Sequence, residues 1–161
     1  MKPRILSGGL CGNVASAILL NWYADAVNSS YVRPADMGAA LINTMNQISG
    51  GNIGHYSEIK RHINTYLTIY VGKSASCVYS QPFNYNTVKE RINSNRPVIV
   101  KTVNHSTYKN HWVTAYGYSE YRSTAPYTTY LIINNGWGDN GVKILIENQS
   151  QYLDGQVWLG V

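Results

Sequence analysis

Residue types that together perform nucleophilic acyl chemistry are spread along this chain: a thiol at Cys11, an imidazole at His111 and a carboxamide at Asn135 or its neighbour Asn134. Cys11 follows "SGGL" and opens "CGNVASAILLNWY", where apolar residues recur at helical spacing. A thiol attacks as its thiolate, and the dipole and free N–H groups of a helix N-terminus favour that form. Gly8, Gly9 and Gly12 permit a sharp turn and a close approach to the sulfur. The same position also suits a small packed thiol, and the segment alone leaves both readings open.

A thiolate needs a partner that takes its proton and later protonates the leaving group. Of the four histidines, His55 follows a glycine-rich turn, His62 reads as the polar side of a helix, and His105 lies in the loop "NHSTYKN". These three read as structural or solvated. His111 stands at the mouth of the apolar strand "HWVTAYGY", where a rigid sheet fixes a side chain. The imidazole in turn needs a group that holds its ring and tautomer. "LIINNGWGDNG" offers Asn134 and Asn135 at a strand end, with Trp137 between two glycines and free to fold over them. Asn-Gly is also a hairpin signal, so the same stretch reads equally as a turn between two strands.

The elements that must position these groups divide the chain into a helical half and a strand half. Helices are expected over Cys11–Ala26, from Pro34 to the "SGGN" at 49–52, from about Ser57, and from Asn86. Beyond Pro97 the period changes to that of strands, at 97–103, 111–118, 128–134, 142–147 and 156–161, with turns at 121–126 and 134–141. Helices first and strands later predict an α+β fold, N-terminal helices packed on a C-terminal antiparallel sheet, in a single domain over 1–161.

In order along the chain, the cysteine on the first helix, "RPVIV", "HWVTAYGY" and "YLIINNGWG…NGV" resemble the papain-like cysteine peptidases, closest to the bacterial C39-like branch. "HWVTAYGY" is similar to the family's histidine strand, and "NNGWG" to its Asn-Ser-Trp-Gly box, with Gly136 where serine is common. The resemblance runs from Cys11 to about Glu147; residues 28–85 match only in helical character. It implies a papain-like fold in which Cys11 is the nucleophile, His111 the base, Asn135 the orienting residue with Asn134 as fallback, and Trp137 the shield of the His–Asn contact. It implies cleavage of peptide bonds through an acyl-enzyme, without metal or organic cofactor. Relatives carry a glutamine before the cysteine that helps hold the oxyanion; here the offset falls on Ile5. The Cys11 N–H remains a donor, and Ser7 and Asn13 are the nearby side chains able to supply a second. That departure keeps open a catalytically silent binding domain, and the same triad also serves amidases, deamidases and acyl-transferases.

Composition narrows the partners. The chain has 161 residues, 44% hydrophobic and only 13% charged, with a net charge of +5. The cations are scattered singly, no denser than Lys60-Arg61-His62, which argues for a solubilising charge and against a nucleic-acid footprint. No run is apolar enough to span a membrane. The expected partner is a peptide or protein substrate, and the expected state a monomer. "MKPRILSGG" lacks the apolar core of a signal peptide, while the polar, cysteine-poor composition and the resemblance together imply a secreted bacterial protein. Cys77, in "SASCVYS", reads as a packed strand cysteine; a bridge from it to Cys11 is the alternative.

Overall fold

The computed structural model describes residues 10–51, 53–121, 128–138, 140–145 and 150–161. Among these, helices α1 (Cys11–Ala26), α2 (Ala40–Ser49), α3 (Tyr56–Thr65) and α4 (Tyr85–Asn93) combine with strands β1 (Cys77–Ser80), β2 (Val98–His105), β3 (Lys109–Tyr121), β4 (Thr128–Asn134), β5 (Asn140–Leu145) and β6 (Leu153–Leu159). The result is α+β, and every strand pairing is antiparallel in the order β1-β6-β2-β3-β4-β5.

α1 is buried on most of its circumference, through Val14, Ala15, Leu19, Leu20 and Tyr23, because it lies between the sheet and the other helices. Side chains alternate across the sheet. Ile99, Trp112 and Val157 face α1–α3, whereas Val98, Val100, Val113 and Ala115 face the layer that holds Val88 of α4. Thr114 belongs to the α1 face, donating from Oγ1 to the Ala15 carbonyl at 3.3 Å.

The second helix starts later than its Pro34 signal predicts. Residues Pro34–Asp36 make a single 3₁₀ turn, and Gly38 then adopts φ +72 with its N–H given to Asn21 Oδ1 at 2.9 Å. The cause is Asp36. Its carboxylate turns inward to accept from Arg33 Nε at 2.7 Å, Thr44 Oγ1 at 2.7 Å and Tyr66 OH at 2.8 Å, and a continuous helix cannot satisfy that set. α3 begins with a capping box: His55 Nδ1 accepts the Ser57 N–H while Glu58 accepts from the His55 N–H.

His62 corrects a sequence expectation. It does not lie on the polar side of α3 but is 2% exposed, with neither ring nitrogen partnered. Its same-face neighbours, Ile59 at i−3 and Tyr66 at i+4, are core residues, and His62 is carried inward with them. The expected polar loop around His105 is instead a tight hairpin in which His105 Nδ1 accepts the N–H groups of Thr107 and Tyr108 at 3.1 and 3.2 Å. Cys77 is a buried strand residue and both thiols are free. No helix among the described residues is long and apolar enough to cross a membrane. Residues 122–127, including most of the expected turn at 121–126, and 146–147 of the strand expected over 142–147 lie outside the described residues.

Candidate functional site

β3 fixes His111 by main-chain pairing with Thr102 of β2, whose hydroxyl accepts the His111 N–H at 3.1 Å. The ring is 4% exposed. Two aromatic rings contain it. Tyr108, delivered by the His105 hairpin, lies nearly parallel at 5.8 Å between centroids and 16° between planes. Trp137 covers it at 4.7 Å and 34°, and also meets Tyr108 at 4.9 Å. Trp137 itself stays 40% exposed.

The orienting contact is made by a different atom from the one expected. His111 Nε2 lies 2.6 Å from the main-chain carbonyl of Asn135, not from its carboxamide. The Asn135 Oδ1 accepts from the Trp137 N–H at 2.8 Å, and the Asn134 Oδ1 from the Gly136 N–H at 3.0 Å. Both asparagine side chains thus close the turn they sit in, as this residue type does beside its own backbone. The turn aims the Asn135 carbonyl at the His111 ring. A carbonyl only accepts, so the neutral ring carries its proton on Nε2 and leaves Nδ1 as a lone-pair acceptor. Nδ1 has no hydrogen-bond partner among the described residues. Burial pushes the imidazole below its ordinary pKa, and the Asn135 carbonyl opposes that by favouring the protonated ring.

Cys11 begins α1 and is partly buried against the helical core. No side chain caps this N-terminus, so the N–H groups that every helix start leaves unpaired are not taken by a cap. Three ties bring the first turn to the His111 end of β3. A Cβ on Gly12 would lie 3.0 Å from Ile53 Cδ1, so only glycine lets Ile53 approach this closely. The Ile53 carbonyl in turn accepts from Trp112 Nε1 at 3.3 Å. A Cβ on Gly136 would lie 3.2 Å from Val14 Cγ1, which seats the Asn135 turn on α1. Among the described residues no hydrogen bond joins the Cys11 thiol to His111. Strand alternation explains this: Trp112 and Thr114 face α1, and His111 stands on the other side of β3 with Val113.

The expected oxyanion side chains fare differently. Ser7 lies outside the described residues. The Asn13 amide is fully buried and donates to Ser49 Oγ at 3.0 Å and Asn46 Oδ1 at 3.4 Å, tying α1 to α2, so its donors are committed away from the thiol. Sequence reasoning missed Tyr108 and Thr102, which hold the His111 ring and backbone. The only signal for Tyr108 is an aromatic residue in an otherwise polar hairpin. No family model matches the chain, and no curated protein matches it.

Proposed function

We propose that the protein is a thiol hydrolase of the papain-like kind, cleaving peptide bonds in a peptide or protein substrate. The observation that carries this reading is the 2.6 Å contact between His111 Nε2 and the Asn135 carbonyl, which leaves Nδ1 as a free base in a ring clamped by Tyr108 and Trp137. Cys11 Sγ attacks the scissile carbonyl carbon and its proton passes to His111 Nδ1. The oxyanion is received by the N–H groups at the start of α1. His111 gives the proton to the departing amine. Water then attacks the thioester, loses its proton to the same nitrogen, and the acid product leaves. The step requires the Cys11 thiol and the His111 ring to meet in the substrate complex, through a rearrangement at the end of β3 that carries the ring.

Hydrolysis of fluorescein-labelled casein, with mass analysis of the quenched protein, tests this. The expected result is an acyl adduct on Cys11 and loss of at least about 10³-fold in rate for Cys11→Ser. Hydrolysis indifferent to Cys11→Ser would refute it. A second reading, a catalytically silent binding domain on the same fold, is favoured by the absent Cys11–His111 hydrogen bond among the described residues and the committed Asn13 amide. It predicts casein binding without turnover or adduct.

A further inference from the structure

The turn that holds His111 has a second face. Asn135 presents its carbonyl to the imidazole, whereas Asn134, Gly136 and Gly138 line a cleft of about 640 Å³ on the α1 side of the sheet. Its floor is apolar, from Val14, Ala17 and Ile18 of α1 and Ile42 of α2. Its rim gathers exposed hydrophobic residues: Met37 is 43% exposed and Tyr116 39%. Such a concentration of exposed apolar surface around one concavity marks a place where something binds.

Two irregularities in the sheet build the cleft. The β3–β4 register passes from Ala115↔Ile133 to Gly117↔Ile132, leaving Tyr116 as the extra residue. The β4–β5 register passes from Ile133↔Val142 to Asn134↔Asn140, leaving Gly141 as its counterpart. Bulges re-aim side chains at such positions. Here the Tyr116 hydroxyl swings to within 3.7 Å of where a Gly141 Cβ would stand, and the tyrosine joins the lining. The Tyr116 hydroxyl and the Asn134 amide nitrogen have no hydrogen-bond partner among the described residues.

Charge selects the occupant. Asp25 lines the same cleft, at the far end of α1, and has neither ion pair nor hydrogen bond among the described residues. Among the described residues, no Lys or Arg lines the cleft with it. Val14 and Asp25 are separated along the helix by about 16 Å at roughly 1.5 Å per residue. That is the length of about five extended residues. We propose that this cleft binds an extended apolar peptide segment ending in a lysine or arginine, whose cation pairs with Asp25 and whose apolar side chains lie between Ile18, Met37 and Tyr116. The site is separate from the thiol chemistry, sharing with it the scaffold of α1 and the 134–138 turn.

Fluorescence anisotropy with N-terminally fluorescein-labelled Ala-Leu-Val-Leu-Lys-amide tests the proposal, using the full chain carrying Cys11→Ala so that the probe is not consumed. Saturable binding is expected, weakened at least about tenfold when both leucines of the probe are serine. Replacing the probe's lysine by glutamate, or Asp25→Asn in the protein, is expected to weaken it about three- to fivefold, and the two changes together no further than either alone. Met37→Ser, at an exposed position that leaves folding intact, is expected to cost about threefold or more. Absence of saturable binding up to about 1 mM, equal affinity for the serine probe, or indifference to both Asp25→Asn and Met37→Ser would overturn the proposal. None of these results depends on whether the wild-type chain hydrolyses casein, so failure here and failure of the hydrolase reading are distinguishable.

Discussion

The helical layer and the mouth of the sheet treat buried ionisable groups in opposite ways. In the helical layer Asp36 is saturated by Arg33, Thr44 and Tyr66, and His62 is left with no partner at either nitrogen. At the sheet mouth His111 is held at one nitrogen and left open at the other. A saturated group can only stabilise the fold. An orphaned one only costs free energy. The half-bonded ring alone has both a fixed orientation and a spare lone pair, which is the condition for moving a proton.

The comparison can be tested from each side. The largest effect is expected at Asp36. Burial alone would push its carboxyl up, but the bonds from Arg33, Thr44 and Tyr66 together hold it below the usual carboxylate range. Asp36→Ala strands a buried hydroxyl on Thr44 and on Tyr66, and denaturant unfolding is expected to show a loss of about 3 kcal/mol. Because the folded carboxyl is more acidic than the unfolded one, its contribution is present above the ordinary aspartate pKa and disappears as pH falls through the folded value.

His62→Leu is expected to act in the opposite direction, raising stability by about 1 kcal/mol at neutral pH, because an apolar side chain removes two unpaired buried nitrogens. Burial pushes His62 below its ordinary pKa, with Arg61 adding to the effect and Glu58 opposing it. The unfolded ring therefore takes up a proton, at about pH 6.5 and below, before the folded one does. Stability of the wild type should fall as pH drops through that window, for His62 and His111 alike. His62→Leu should flatten the slope measured by unfolding between about pH 7 and 5, leaving the His111 share. A variant with an unchanged slope would remove His62 from the account.

The smallest effect is expected at Trp137. Trp137→Ala opens one face of the His111 ring to water while leaving the Asn135 carbonyl in place. The ring's pKa should move up towards its ordinary value, by less than about one unit, in an NMR titration of its carbon-bound protons. Stability should change by about 1 kcal/mol or less, since the indole is partly exposed.

How far the sequence discloses this molecule depends on what each feature rests on. α1 and the apolar strands are legible because each concentrates apolar residues between turn residues, in a long helical segment for α1 and in short runs for β2, β3 and β4. The histidine strand is legible because His111 sits at an abrupt change from polar loop to apolar run. The break before α2 is not, because it depends on Asp36 meeting Tyr66, a residue 30 positions away. His62 is misread for a similar reason: its polarity outweighs a helical phase that puts it beside Ile59 and Ile63. The turn at 134–138 is legible in the sequence, but the atom it turns towards His111 is not. A pattern of side chains points to a carboxamide at Asn135, whereas the contact uses a carbonyl that every residue possesses. Only the turn geometry, with Gly136 at φ +74 and Gly138 at φ +92, says which carbonyl it is. The cleft beyond the turn is invisible in the sequence, since a one-residue bulge at Tyr116 leaves no mark in an alternating strand.

The central claim is that Cys11 and His111 act as a couple. Iodoacetamide labelling followed by peptide mapping, between about pH 5.5 and 7.5, tests it most directly. Cys77 is 1% exposed and burial pushes its thiol up to about 12, so it serves as an internal reference that hardly reacts. Cys11 is expected to label at least about 10³-fold faster than Cys77, and His111→Ala to slow Cys11 by about tenfold or more without changing Cys77. A Cys11 rate that is the same with and without the imidazole would contradict the account.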